Sequence, residues 1–382
     1  MSATPSAAPT TATATPDPAP APVPDLALPL GRPPRVLVTG AGGPSGVCFL
    51  RALDGVAERY AADLDPNGAG LYLVPRAYRM LVPPGAAPGY AEALLRLCAR
   101  HEIDVLVPTV DAELVALAHA AGAFAAAGVR VLVSPADALE TCLDKWRLAE
   151  ACQGAVRLPD TRLLGAPGAA EQPGGGFPAI AKPRTGSGSR GIVLVRSAAD
   201  LAGLPRDGSY LLQEFLPGTE YSVDVLTDAG GRVVAAVPRA RDKTDSGIVV
   251  AGRVLDLPEL SGIAEDTVRT LGLRGVLNVQ VREDRAGKAA LLEVNPRPPG
   301  GMSLTVAAGV DMPKWAVASL LGMELPDRIV QRETAIVRHW QDVVLSPREL
   351  GAMGDTTEAA PPDATAPGQA PNGQAAPGQA AA

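Results

Sequence analysis

The stretch LLEVNPRPPGG at residues 291–301 carries Glu293, Asn295 and Arg297 at alternate positions. In an extended strand, side chains two apart share a face. This carboxylate, carboxamide and guanidinium therefore project together, while Leu292 and Val294 point the other way. Gln280, in LNVQV at 277–281, stands on a period that sets it beside Glu293 if the two runs pair as neighbours. One carboxylate and two carboxamide oxygens make a hard-oxygen set suited to Mg²⁺, which takes few protein ligands and fills its shell with phosphate oxygens. Arg297 would then face a phosphoryl group in transfer. The competing reading is a plain solvated strand face. Pro296, Pro298 and Pro299 argue against it, because prolines are out of place in an exposed regular strand.

A second stretch, AKPRTGSGSRG at 181–191, places Gly186, Ser187, Gly188, Ser189 and Gly191 between two strand-like runs. A Walker loop needs Gly-x4-Gly-Lys-Ser/Thr opening a helix, and this is not one. Small residues in a hairpin flap let backbone N–H groups close over anionic oxygens, and Lys182 adds a point charge. The alternative is an ordinary hairpin loop.

The elements around these stretches follow from hydrophobic periodicity. From Arg35 to Ser134, strand-like runs RVLVTG, YAADLD, YRMLVP, DVLVP and VRVLVS alternate with helix-like YAEALLRLCARHE and DAELVALAHAAGAFAAAG. Such alternation predicts a parallel sheet with crossover helices. SPADALETCLDKWRLAEACQG reads as a helical connector. Beyond it strands come in pairs: FPAIAKP with GIVLVRS, YLLQEFL with EYSVDVLTD, and hairpins turning at AGG and RAG. ETAIVRHWQDVVL is a last strand-like run. The fold class is thus α/β followed by α+β.

With these residues set out, the chain resembles the ATP-grasp superfamily, in its branch of single-chain ligases similar to the large chain of carbamoyl phosphate synthetase. DK at 144–145, KPRTGSGSRG, LLQEFLPGTEYSVD, LNVQ and LLEVNPRPPGG occur in that family's order. The resemblance covers residues 35–350 and implies a Rossmann-like domain at 34–134, a connector at 135–153 and a two-lobed ATP-grasp domain at 154–350. Within the latter, the phosphate flap would belong to a lobe at 154–213 and the metal site to one at 218–325, with a closing strand at 333–345. It implies ATP with one or two Mg²⁺, or Mn²⁺ in their place. Lys145 and Lys182 would contact the phosphates, and Gly186, Ser187, Gly188, Ser189 and Gly191 would cover them. Glu214, Phe215 and Leu216 would form the hinge that reads adenine, Glu220 would bind the ribose, and Gln280, Glu293 and Asn295 would hold metal. Lys182, Arg241 and Arg297 would be catalytic, and either Arg239 or Arg241 would clamp the acid or the phosphates. Gly300 and Gly301 would offer N–H groups to the acyl group, and Asp111 or Glu113 would face an acceptor amine.

The activity so implied is ATP-dependent activation of a small carboxylic acid as an acyl phosphate, with release of ADP and capture by an amine. A family member with a non-amine acceptor is the alternative within the fold. VLVTGAGGPSG at 36–46, with Asp63 and Asp65 beyond it, supports a rival NAD(P)-dependent oxidoreductase. Pro44 and Ser45 depart from the tight dinucleotide form, so the turn reads better as a wall of the substrate pocket. Cys48, Cys98, Cys142 and Cys152 are scattered and His101, His119 and His339 lie far from them, which argues against zinc. Net charge is −7, of which residues 1–33 hold −1 and residues 351–382 hold −3. The remaining −3 speaks against nucleic-acid or membrane partners. The expectation is a cytoplasmic enzyme forming a homodimer. Residues 1–33 and 351–382, rich in Ala and Pro, are expected to be disordered.

Overall fold

The computed structural model describes residue 23 and residues 25–165, 176–186, 190–245 and 247–351. Most of the two terminal tails lies outside these residues. The chain opens on β1 (Arg35–Val38), α1 (Pro44–Ala52), β2 (Glu58–Asp63), β3 (Arg79–Leu81), α2 (Tyr90–Arg100) and β4 (Val105–Val107), then α3 (Asp111–His119), α4 (Ala121–Ala126) and β5 (Arg130–Val131). The five strands form one parallel sheet, ordered β3-β2-β1-β4-β5. Val36, Leu37 and Val38 are fully buried, as a central parallel strand covered on both faces demands. The second helix-like run breaks at Ala120 into α3 and α4, because the Ala- and Gly-rich half offers only Phe124 to the core.

The connector is also two helices, α5 (Ala136–Leu143) and α6 (Lys145–Cys152), divided at Asp144. Asp144 caps α6, accepting from the Trp146 and Arg147 N–H groups at 3.0 and 3.2 Å. Then come β6 (Thr161–Leu163), β7 (Ala179–Pro183), β8 (Val193–Val195), β9 (Tyr210–Glu214), β10 (Glu220–Thr227), β11 (Val233–Asp245), β12 (Ile248–Val254), α7 (Pro258–Leu271), β13 (Val276–Glu283) and β14 (Ala289–Asn295). Two short helices, α8 (Met302–Ala307) and α9 (Met312–Leu320), precede β15 (Thr334–Val337).

These strands make a four-stranded sheet, β6-β9-β7-β8, and a six-stranded sheet, β14-β13-β10-β11-β12-β15. The hairpins at AGG and RAG join β10 to β11 and β13 to β14. YLLQEFL does not pair with EYSVDVLTD. Pro217 and Gly218 interrupt the run, and β9 lies between β6 and β7 while β10 enters the other sheet. ETAIVRHWQDVVL forms a strand only as far as Val337. Val337 faces Ala251, and β12 starts three residues further on at Ile248, so ladder partners soon run out. Trp340 and Val344 are exposed beyond it.

The largest core cluster does not respect the boundary between the parallel-sheet domain and the antiparallel sheets. It joins Val36, Phe49 and Leu50 to Val234 and Val237 of β11 and to Met302, Trp315 and Val317 of α8 and α9. Residues 25–33, expected to be disordered, are drawn into order by the same core: Leu26 is buried there, and Arg32 forks onto Asp104 at 2.7 and 3.0 Å. Among the described residues, no helix is long and apolar enough to cross a membrane.

Candidate active site

One face of the six-stranded sheet carries the polar side chains. Register places Gln280 opposite Glu293 and Asn278 opposite Asn295 across β13 and β14, Ser222 beside Gln280 on β10, and Arg239 beside Ser222 on β11. These residues line a cavity of about 510 Å³ between the sheet, the flap and the carboxyl ends of the parallel strands. Lys145, Lys182, Gly186, Glu220, Arg241 and Arg297 line it too.

The metal candidates sit together. With its amide turned to satisfy its neighbours, Gln280 donates to Glu293 Oε1 at 3.0 Å and accepts from Arg241 Nη1 at 3.3 Å. Turning that amide over points its oxygen at the carboxylate, the arrangement a cation between them would favour. Asn295 has only long contacts, 3.5 Å to Asn278 and to Glu293. No Lys or Arg among the described residues pairs with Glu293 at ion-pair distance. A carboxylate without a cation, flanked by two loosely held carboxamides, fits Mg²⁺. No cluster of three His, Cys, Asp or Glu exists among the described residues. A metal here would take its remaining oxygens from phosphate.

Lys182 lies on β7 and is only 6% exposed. Burial lowers its pKa to about 8; Lys145 works in the same direction and Glu293 against both. Lys145, the first residue of α6, donates to the Gly186 carbonyl at 2.7 Å, and burial lowers its pKa as well. Asp144 anchors the pair: Arg184 forks onto it at 2.8 Å, and Lys145 N–H donates to the Arg184 carbonyl at 3.0 Å. Despite partial burial, Arg184 and the α6 N–H groups hold the Asp144 carboxyl below its ordinary range.

Arg239 is 1% exposed and pairs through Nε and Nη2 with Asp224, itself fully buried, at 2.8 and 2.6 Å. Asn278 and Thr305 also donate to Asp224, at 2.9 and 2.6 Å. The third guanidinium nitrogen, Nη1, is buried without a partner. A Cβ on Gly301 would lie 2.3 Å from it, so only glycine fits over this guanidinium. Arg241 is spent differently, on Glu220 at 3.3 Å and the Gly247 carbonyl at 3.1 Å. Glu220 also reaches Arg282 at 3.5 Å.

Other expected residues lie elsewhere. Glu214 accepts from the Asp160 N–H at 3.2 Å and, with Phe215, lines a separate depression of about 420 Å³ beside Phe177. Leu216 is buried. Gly191, in the left-handed region at φ +74°, packs against Pro183 and Tyr210. Ser187, Gly188 and Ser189 fall outside the described residues. Glu113 borders the cavity but is 1% exposed, bonded to Thr39, to Tyr90 and to the Thr109 and Val110 N–H groups, and burial raises its pKa. Asp111 holds Arg297. Burial pushes the Cys48 and Cys98 thiols up to about 12, far from a nucleophile's range.

The glycine turn after β1 answers to packing. Gly42 N–H donates to Asp63 Oδ2 at 2.7 Å, a Cβ on Gly42 would lie 2.6 Å from Gly68, and one on Gly70 would lie 1.8 Å from the Ala41 carbonyl. Residues 68–70 thus press onto one side of the turn, while Gly40, Gly43, Pro44 and Ser45 on its other side line the main cavity. Sequence reasoning missed Asp224 and Arg184 altogether, and named Arg297 without seeing that Asp111 holds it. Asp224 had a signal: an acid in an apolar strand preceding an apolar strand with an arginine is the mark of a buried pair.

Comparison with known proteins agrees with this architecture. Residues 207–343 match the family described as ATP-grasp in the biosynthetic pathway with Ter operon, and residues 37–132 match the PylC-like N-terminal domain. The chain is 30% identical over 225 residues to the carbamoyl phosphate synthase large chain of Thermus thermophilus, covering 53% of this chain but 22% of that one. It is 29% identical over 174 residues to a D-alanine–D-alanine ligase of Gloeobacter violaceus, covering 41% and 56%. The biotin carboxylase domain of Hydrogenobacter thermophilus 2-oxoglutarate carboxylase, solved with MgADP and bicarbonate, superposes with a TM-score of 0.62 at 18% identity, over 76% of this chain and 70% of that one.

Proposed function

From the premise that the chain carries an ATP-grasp domain behind a PylC-like N-terminal domain, we propose that it is an ATP-dependent carboxylate–amine ligase. The observation that carries this reading is the convergence of Lys145, Lys182, Gln280, Glu293, Asn295 and Arg297 on one cavity. Lys182 and Lys145 would hold the phosphates of ATP. Gln280, Glu293 and Asn295 would hold one or two Mg²⁺, which would supply positive charge to offset that of the phosphates. A carboxylate oxygen of the acid attacks the γ-phosphorus, the bond to the β-phosphate oxygen breaks, and ADP leaves. An amine nitrogen then attacks the acyl carbon, phosphate departs, and the nitrogen loses a proton. Arg297 would neutralise the phosphoryl group in both steps. This chemistry asks for positioning and charge more than for a protein base. Arg239 is the better candidate than Arg241 to read an anionic group of the substrate, since one of its nitrogens is unspent. Glu220 would serve the ribose, and the hinge at Glu214–Leu216 the adenine.

The test is a Mg·ATP assay with panels of small acids and amines, scoring ADP with phosphate against AMP with pyrophosphate. ADP dependent on both substrates is expected. AMP and pyrophosphate would exclude the acyl-phosphate route.

A pH dependence arises from Lys182. In the free protein its pKa is lowered to about 8 by burial, and phosphate binding favours the charged form. Below pH 8 the lysine is already protonated and binding takes up no proton there. Above pH 8 binding must take one up, so nucleotide affinity should fall as pH rises. Calorimetry with Mg·AMPPNP in buffers of different ionisation heat should show proton uptake at pH 8.5 that vanishes in Lys182→Arg. Equal uptake in both proteins would refute the assignment.

A further inference from the structure

Arg297 is the arginine on which the ligase reading places the phosphoryl charge, yet what aims it comes from the other end of the chain. Its Nε and Nη2 donate to Asp111 Oδ1 and Oδ2 at 2.8 and 3.0 Å, a side-on fork between residues 186 positions apart. Asp111 is the first residue of α3, at the carboxyl end of β4. Both partners are about one-fifth exposed and line the main cavity. The remaining nitrogen, Nη1, donates to the Pro298 carbonyl at 3.3 Å.

The loop that carries Arg297 is fastened at two further points. Ser45 Oγ, in the first turn of α1, donates to the Pro298 carbonyl at 2.9 Å, and a Cβ on Gly300 would lie 3.3 Å from the Pro44 ring. From the other side, Arg338 Nη2 donates to the Gly300 carbonyl at 2.7 Å. Residues 296–301 are therefore fixed against the parallel-sheet domain instead of standing free at the end of β14. Asp111 is the member of this set that addresses the guanidinium itself. The next carboxylate along the same strand face is Glu293, and an arginine released from Asp111 would be drawn toward it.

We infer that Asp111 is the positioning residue for Arg297, so that the parallel-sheet domain sets the geometry of phosphoryl transfer as well as walling the cavity. The inference rests on the ligase reading for the role of Arg297, while the fork itself does not. A planar guanidinium gripped on two nitrogens has its orientation fixed, and preorganised charge is what lowers a phosphoryl-transfer barrier. Misplacement of such a group by about 1 Å costs on the order of 100-fold in rate.

The experiment uses the full chain. Asp111→Asn should lower kcat for ADP release by roughly 10- to 100-fold, with KM for ATP and Mg·AMPPNP affinity within about twofold of wild type. Asp111→Glu, which can still fork, should recover part of the loss. The second readout is the Arg297 Nε–H resonance, assigned with Arg297→Lys. It should exchange slowly in the wild type, with and without Mg·AMPPNP, and quickly in Asp111→Asn. Wild-type kcat in Asp111→Asn would overturn the inference, as would unchanged Nε–H exchange or a loss of nucleotide affinity equal to the loss of turnover. If no substrate panel elicits ADP from the wild type, the ligase reading fails, while the exchange data still decide whether Asp111 orients Arg297.

Discussion

Glu293→Ala should lower Mg·ATP-dependent ADP release by roughly 10³-fold or more, the scale on which charge-stabilising groups act in a water-excluded site. Glu293 supplies the one carboxylate among the three metal candidates, and its register partner Gln280 contributes only a carboxamide dipole. Removing it leaves two neutral oxygens, too weak a set to keep a divalent cation against water. Gln280→Ala should cost less, because the carboxylate remains. The fold should tolerate both changes, since Glu293 lies on the cavity wall and makes no ion pair, and Lys182, which loses a favourable charge, can meet the change by a further fall in its pKa. Unaltered ADP release in Glu293→Ala, measured by a coupled assay at saturating Mg²⁺, would remove the metal assignment.

The second large effect is on stability. Asp224→Ala should destabilise the protein by about 3–5 kcal/mol, the cost of leaving one member of a buried ion pair alone. Three groups depend on that carboxylate: the Arg239 guanidinium, Asn278 and Thr305. Each would be left with unsatisfied donors in a place water does not reach. The combined change Asp224→Leu with Arg239→Met should return the part of the stability lost to the stranded guanidinium, while Asn278 and Thr305 still lack their acceptor. An unfolding free energy from urea titration of Asp224→Ala within about 1 kcal/mol of wild type would contradict the buried-pair account. The paired variant should stay folded and bind Mg·AMPPNP, yet respond poorly to acid substrates if Arg239 reads their charge.

The pairing of Gln280 with Glu293 on one polar face was legible in the sequence for a definite reason. Period-two alternation in LLEVNPR and a short turn at RAG leave few ways to set Gln280 other than opposite Glu293. The parallel sheet was legible for a similar reason, its strands being short, apolar and evenly spaced. What escaped notice depends on groups distant along the chain. Nothing near Arg297 points to Asp111, and periodicity pairs the two strands of YLLQEFLPGTEYSVD, which only the lobe break implied by the family resemblance sets apart at Pro217 and Gly218. The glycines of VLVTGAGGPSG resemble a phosphate turn because the requirement is the same, a backbone that something must approach closely. Here residues 68–70 make that approach. Glu113 looked available because it follows a strand at the carboxyl end of the parallel sheet, and its bonds to Tyr90 and Thr39 leave it almost wholly buried.

The cluster that joins Val36 and Leu50 to Val237, Met302 and Trp315 bears on how this architecture can be handled by recombination. A unit joined to its neighbour by a linker can be exchanged, whereas one that shares its interior cannot. Cut near the connector, each half would present a broad apolar surface to water and precipitate or seek its complement. Exchanging the first 134 residues for those of a relative would carry one wall of the cavity across, but it would succeed only if the buried faces of α8 and α9 travelled with them. Point changes around the cavity would leave this shared interior intact, whereas replacing the front half alone would break it.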